Sequence, residues 1–306
     1  MIQIKKYGST IFICLVMIGI LLLPGQCSKP AEDSFSGISV IVSIPPQKYF
    51  VEKIGGEYCR VQTLIPAGAS PHTFEPKPKQ MALLARARLY FSVGVEMERA
   101  WLPKLKGVAP DVIIVPTDSG IPGIGDNNAD DHSHHQKAEH EGHHHDGADP
   151  HIWLSPRLVR LQAAIILKAL AAVDTLHAEE YKKRYDLFMT EIDTLQRQIA
   201  ARLEQCGAPE QFLVMHPSWG YFADEFGLRQ IAVEVDGREP GGRALANIVS
   251  VAKREGIRTV MVQPQNSAKT ARLIAGRIGG AVVTADPLAE DWAGNLEHIA
   301  EVLCGQ

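Results

Sequence analysis

"HAEEYKKRYDLFMTEIDTLQRQIAARLEQC", residues 177–206, runs from end to end without a proline or a glycine. Its apolar residues recur at helical spacing, with Leu187, Ile192, Leu195 and Ile199 in one stripe, so it reads as one long helix. Such a helix can brace two lobes, and the chain on either side has the pattern of two lobes. On the N-terminal side "ISVIVSI" (38–44), "VQTLI" (61–65), "RLYFSVG" (88–94) and "DVIIVP" (111–116) are rich in β-branched residues and bounded by Gly or Pro. They read as buried strands. Helical spacing marks 47–55 and 78–87 between them, and "PRLVRLQAAIILKALAAVD" (156–174) is a helix with Pro156 in its first turn. On the C-terminal side "QFLVMH" (211–216), "QIAVEV" (230–235), "RTVMVQ" (258–263) and "AVVTA" (281–285) read as four more strands, separated by helical segments at 218–226, 242–256, 267–279 and 288–304.

Strand–helix alternation predicts parallel sheets covered on both faces. The expected fold is α/β: two four-stranded parallel-sheet lobes with covering helices, joined by the long helix. The boundaries are an N-terminal lobe over 38–176, a linker helix over 177–205 and a C-terminal lobe over 206–306. No sequence repeat links the two halves.

The chain has 306 residues, 45% hydrophobic and 22% charged, with a net charge of −4. No basic patch lies outside the N-terminus, so nucleic acid is not an expected partner. At the N-terminus Lys5 and Lys6 precede an apolar run from Ile11 to Leu23 that "PGQCSKP" breaks. That run is too short for a membrane span and fits an export signal over residues 1–27, with an uncleaved anchor as the alternative. "LLLPGQC" is similar to a bacterial lipobox and makes Cys27 a candidate for lipidation, although Leu23 is one position too far away and Gln26 replaces a small residue. Beyond the signal stand Cys59, Cys206 and Cys304, whose spacing fits no zinc motif. Export permits a disulfide, with Cys206–Cys304 the candidate pair and three buried free thiols the alternative.

Between the fourth strand and the helix at 156 lies "DDHSHHQKAEHEGHHHDGADPHIWLSP" (130–156). From Asp126 to Asp149 the chain holds seven histidines, seven carboxylates and one lysine, with no apolar residue larger than Ala. Such a stretch cannot bury enough surface to offset its ordering entropy. His132, His134, His135, His140, His143, His144 and His145 therefore read as weak, interchangeable metal sites; a purely solvated loop is the plainer alternative. His151 differs, because it leads directly into Ile-Trp-Leu.

His72 lies in the loop after the second strand, in "PAGASPHTFEP", and His151 follows the fourth. His216 ends the fifth strand in "VMHPSWGYF", and Asp286 follows the last in "TADPLAEDW". All four stand past the carboxyl ends of predicted parallel strands, where open α/β sheets bind ligands. Two lobes face to face would bring two residues from each into one cleft. Three imidazoles and a carboxylate suit zinc. Singly, each has a plainer reading: a loop histidine is usually a surface residue, and Asp286 before Pro287 reads equally as the cap of the last helix.

"SPHTFEPKPKQMALLARARLYFSVG", "DPHIWLSP", "HPSWGYFADEFGL", "VEVDGREP", "VQPQNSAKTARLIAGRIGG" and "DPLAEDW" together resemble the ordered motif set of the zinc-uptake solute-binding proteins. These are extracytoplasmic receptors of ATP-driven metal importers (cluster A-I), and the resemblance runs from about Val40 to the C-terminus. It implies two α/β lobes on a rigid long helix, and ligand positions at His72, His151, His216 and Asp286, the last replaceable by water or another acid. It also implies a monomer that passes Zn²⁺ to a membrane permease with its cytoplasmic ATPase, and no enzymatic activity. Pro217-Ser218 stands where the family often has Asp-Ala, and Lys77 where it usually has Ser or Thr. Manganese receptors of the family typically place a glutamate at the position of His216, so Mn²⁺ is the less expected cargo. The rival readings are an exported zinc hydrolase with three histidines and a bound water, although no H-E-x-x-H helix is present, and a free periplasmic zinc buffer or chaperone.

Overall fold

Each half of the chain builds the same sheet. The computed structural model describes residues 35, 37–121, 149–234 and 237–305. The expected export signal, Cys27 and the seven histidines of the acidic tract lie outside the described residues. In the first half β1 (Ile38–Val42), β2 (Cys59–Thr63), β3 (Leu89–Ser92) and β4 (Ile113–Pro116) form an all-parallel sheet ordered β2-β1-β3-β4. In the second, β5 (Gln211–Val214), β6 (Arg229–Ala232), β7 (Thr259–Val262) and β8 (Ala281–Thr284) repeat that order as β6-β5-β7-β8. All eight expected strands are present. All but β4 end short of the apolar run that announced them, because the chain turns out of the sheet at its carboxyl end. At β1 the turn is sealed by Gln47, whose Oε1 accepts from Ser43 N at 3.0 Å.

The covering helices are α1 (Pro45–Gly55), α2 (Pro78–Leu84), α3 (Glu96–Val108), α4 (Pro156–Val173), α5 (Ala178–Cys206), α6 (Gly220–Glu225), α7 (Gly242–Arg254), α8 (Lys269–Ile278) and α9 (Trp292–Cys304). Helix α3 carries Pro103 inside it, which removes one backbone donor and masks the helix in the sequence pattern.

Helix α5 is the long brace. Its buried face is Tyr181, Phe188, Ile192, Leu195, Ile199 and Leu203, steps of three, four and seven that keep one side of a helix toward the core. Leu187 is not part of it: it is 60% exposed, one residue out of phase with the stripe that Phe188 occupies. The buried face packs against α1, α4 and α9, so both lobes rest on one helix. At that junction Phe50, Phe188 and Trp292 meet, with Phe50 6.0 Å from Phe188 and 5.2 Å from Trp292 between ring centroids. The fully buried indoles bridge the lobes in return. Trp153 Nε1 donates to the Pro287 carbonyl and Trp292 Nε1 to the Trp153 carbonyl, each at 2.6 Å. A buried indole N–H left unpaired would cost stability, so these bonds also fix where the lobes sit.

Glu225 makes a second clasp. Its carboxylate accepts from Ser155 Oγ, from Arg157 N at 3.0 Å and from Gln196 Nε2 at 2.8 Å. It thus joins α6 to the first turn of α4 and to α5, with the negative charge at a helix N-terminus where it is favoured. The Cys206–Cys304 disulfide ties the end of α5 to the end of α9, with Cα atoms 5.5 Å apart, inside the ordinary range. Cys59 is a buried free thiol that burial pushes up to about 11, so it is protonated at neutral pH and is not a metal ligand in waiting.

Candidate metal centre

His72, His151 and His216 arrive from three different loops at one point. His72 lies between β2 and α2. His151 opens the single 3₁₀ turn Ile152–Leu154 ahead of α4, and His216 stands two residues past β5. One ring nitrogen from each lies within 4.8 Å of the other two. The closest approach is 3.1 Å, between Nε2 of His72 and Nε2 of His216. His151 is buried, with 7% of its surface exposed, His216 is half-buried and His72 is exposed.

The other ring nitrogens decide the chemistry. Nδ1 of His72 meets Glu96 Oε2 at 2.7 Å, Nδ1 of His151 meets Asp149 Oδ1 at 2.6 Å, and Nδ1 of His216 meets Glu234 Oε2 at 3.1 Å. An ionised carboxylate accepts only, so in the neutral tautomer that each pairing favours Nδ1 carries the proton and Nε2 has a bare lone pair. Two lone pairs 3.1 Å apart repel unless a cation lies between them. Two nitrogens bound to one tetrahedral zinc at 2.0–2.1 Å stand about 3.3 Å apart. The 3.1 Å spacing of His72 and His216 is close to that value, and the three nitrogens together could hold a metal ion.

None of the three carboxylates was anticipated, although each obeys the rule that found the histidines: Glu96 follows β3, Asp149 follows β4 and Glu234 follows β6. Each is itself held. Glu96 is the first residue of α3, whose start is pinned by Glu98 two residues further in. The Glu98 carboxylate accepts from Val93 N at 2.9 Å, from Gly94 N at 2.7 Å and from Ser43 Oγ. Burial pushes Glu98 up to about 7 against the pull of those donors.

Asp149 also accepts from His151 N at 2.9 Å, and its own carbonyl accepts from Tyr221 Oη at 2.8 Å. A Cβ on Gly220 would stand 3.0 Å from Asp149 Oδ2, so the glycine of "PSWGYF" gives that carboxylate its room. Glu234 Oε1 is 3.5 Å from Asn266 Nδ2. The Pro217-Ser218 turn, where the chain departs from the family pattern, is well anchored: Ser218 N donates to the His216 carbonyl at 2.8 Å, and its buried Oγ accepts from Gln263 Nε2.

Asp286 stands two residues past β8, as expected, but it is not in the converging set. Its Oδ1 accepts from Leu288 N at 3.0 Å and from Gln265 Nε2 at 3.3 Å. Nor does it cap the last helix: α9 begins at Trp292, and Asp291 is its cap, with Oδ1 accepting from Gly294 N at 3.2 Å.

Known proteins share this fold. The family model described as zinc-uptake complex component A, periplasmic, matches residues 40–304. The high-affinity zinc uptake system protein ZnuA of Bacillus subtilis is 27% identical over 283 residues, 90% of this chain and 86% of that protein. A crystal structure of ZnuA superposes with a TM-score of 0.79 at 37% identity, covering 88% of this chain and 98% of that one. A ZnuA deletion mutant with zinc bound gives a TM-score of 0.77 at 38% identity, covering 88% and 97%. The family match spans both sheets, the bracing helix and all three histidines, and the chain belongs to the ZnuA family of periplasmic zinc-uptake components.

Proposed function

We propose that this chain is the exported receptor of a zinc importer, holding one Zn²⁺ on the Nε2 atoms of His72, His151 and His216. The observation that carries the reading is the triple pairing of Nδ1 with Glu96, Asp149 and Glu234. That pairing sets the tautomer and aim of each imidazole and raises its basicity, as outer partners of zinc ligands do. Three neutral imidazoles and three carboxylates also make the cleft attractive to cations. A nitrogen shell suits zinc and gives manganese, an oxygen-seeking and weaker binder, less to hold.

Water or Asp286 completes the fourth position. The three carboxylates nearest the histidines are engaged in holding imidazoles, the arrangement of a binding shell rather than of a hydrolase with a free base. The receptor passes its ion to an ABC permease with a cytoplasmic ATPase, and it acts as a monomer outside the cytoplasm, with Cys27 as its lipid anchor. His132, His134, His135, His140, His143, His144 and His145 gather zinc weakly beside the tight site.

Calorimetry with Zn²⁺ on the full chain, on a variant lacking 130–147 and on that variant carrying His216→Ala tests the reading. The deletion removes the weak equivalents and keeps one tight equivalent; His216→Ala then abolishes it. Tight binding that survives His216→Ala overturns the site, and loss of the tight equivalent in the deletion alone means that the tract supplies a ligand.

A further inference from the structure

Asp286 has the chemistry of a fourth ligand, yet its carboxylate is turned to two donors, both on Oδ1. One of them, Leu288 N at 3.0 Å, belongs to its own turn. The other is Gln265 Nε2 at 3.3 Å, from the loop that follows β7. That amide is fastened at one end only: Gln265 Oε1 is buried and has no hydrogen-bond partner. A buried acceptor left unpaired is costly, and a donor bond at 3.3 Å is near the long limit for N–H···O. Gln265 is only half-buried, so swinging the amide outward gives Oε1 water at little loss.

The same loop reaches every C-terminal-lobe part of the metal centre. Gln263 Nε2 donates to Ser218 Oγ in the turn that carries His216, and Asn266 Nδ2 lies 3.5 Å from Glu234, the carboxylate on His216. Asp286 is therefore wired to the turn of His216 and to Glu234 through one four-residue stretch, 263–266, with Gln265 as the contact.

We propose that Gln265 is a positioning residue that draws the Asp286 carboxylate away from the three histidines and so keeps the shell rich in nitrogen. The proposal rests on the reading of His72, His151 and His216 as the zinc site. With Gln265 in place the ion meets three imidazoles and water, which favours zinc. With Gln265 released only Leu288 N, in the same turn, still holds Oδ1; the Asp286 carboxylate then joins through its other oxygen, and an added oxygen donor favours manganese more than the nitrogen shell does. Gln265 thereby sets selectivity without touching the metal.

Chelator-competition titrations with Zn²⁺ and Mn²⁺, which count the tight equivalent alone, test this on the full chain and on Gln265→Ala, Gln265→Glu, Asp286→Ala and the Gln265→Ala/Asp286→Ala pair. Gln265→Ala narrows the zinc-to-manganese affinity ratio by about 10-fold, the low end for an outer-shell change. Gln265→Glu does the same by repelling Asp286, and it stands in where the alanine variant folds poorly by circular dichroism. Asp286→Ala leaves the wild-type ratio within about twofold, as a substitution outside the shell should, but reverses the effect in the Gln265→Ala background. An unchanged ratio in both Gln265 variants overturns the proposal, as does an Asp286→Ala effect equal in the two backgrounds. His216→Ala run alongside separates the failures: if it spares tight zinc binding, the site reading has failed, and if it abolishes binding while the Gln265 variants do nothing, only the Gln265 role has failed.

Discussion

Asp149→Asn is the substitution that bears most directly on the metal centre. Asparagine keeps the shape of the side chain and removes its charge. Oδ1 of Asp149 accepts from both His151 Nδ1, at 2.6 Å, and His151 N, at 2.9 Å, and its side chain is 20% exposed. The bond is therefore short, charge-assisted and mostly shielded from water. A hydrogen bond to a charged group is worth about 1.5–3 kcal/mol. Removing an outer partner of a metal-bound histidine typically costs about 10–100-fold in affinity, which converts to about 1.4–2.8 kcal/mol. The two routes agree on a loss near about 30-fold for Asp149→Asn.

Glu96→Gln is the internal control. Its bond to His72 is nearly as short, 2.7 Å, but its side chain is 53% exposed. An exposed pair is worth about 0.2–1 kcal/mol, or about 1.5- to 5-fold, and salt screens it further. Glu234→Gln falls between, since the side chain is 14% exposed but the contact is 3.1 Å. Chelator competition at two ionic strengths ranks the three variants Asp149→Asn, Glu234→Gln, Glu96→Gln from largest loss to smallest, with salt sensitivity greatest for Glu96. Wild-type affinity in Asp149→Asn, or a Glu96→Gln loss as large as that of Asp149→Asn, refutes the carboxylate argument.

Two predictions concern the frame. The Cys206–Cys304 bond closes a separation of 98 residues; replacing both cysteines with serine lowers unfolding free energy by about 3–5 kcal/mol in urea titrations, and an unmoved midpoint means the bond does not constrain the unfolded chain. Glu98, raised by burial to about 7, binds its proton more tightly folded than unfolded, so its contribution is fully present at the acid end and is lost as pH rises from its ordinary value of 4.5 through about 7. Thermal melts from pH 5 to pH 8 therefore show a steeper fall for the wild type than for Glu98→Gln, and parallel curves count against that role for Glu98.

The fold was legible where one physical signal dominated. Runs such as "ISVIVSI" and "RTVMVQ" have the β-branched content that parallel strands demand, and all eight strands lie where such runs placed them. The signal weakened where two effects competed. Pro103 hid α3, and Leu187 was placed in the buried stripe of α5 although Phe188, one residue on, fills the core and Leu187 faces solvent. The shared order of the two sheets was not legible, because order depends on which strands pair and not on repeated residues. The three histidines were legible because strand ends mark where ligands gather. Their carboxylates stood at the same ends, but acids are common in loops and nothing in spacing tells a partner of Nδ1 from a solvated side chain. Asp286 Oδ1 accepts from Leu288 N and from Gln265 Nε2, and side-chain geometry of that kind leaves no trace in a pattern of residue types.

The histidines are also graded, and the gradient carries a consequence for transport. His151 is enclosed by the Ile152–Leu154 turn, by Asp149 and by the Trp153 anchor that joins the lobes. His216 is intermediate, fixed by the Ser218 turn and Glu234. His72 is exposed and leans on Glu96, the carboxylate most open to water. On the proposed assignment an ion arriving from solvent meets His72 first and settles against His151 last. Departure reverses the order, because the ligand whose partner is most screened is the cheapest to detach. Capture and release then share the exposed His72 side, while Trp153, Trp292 and Glu225 hold together the elements from which the histidines come.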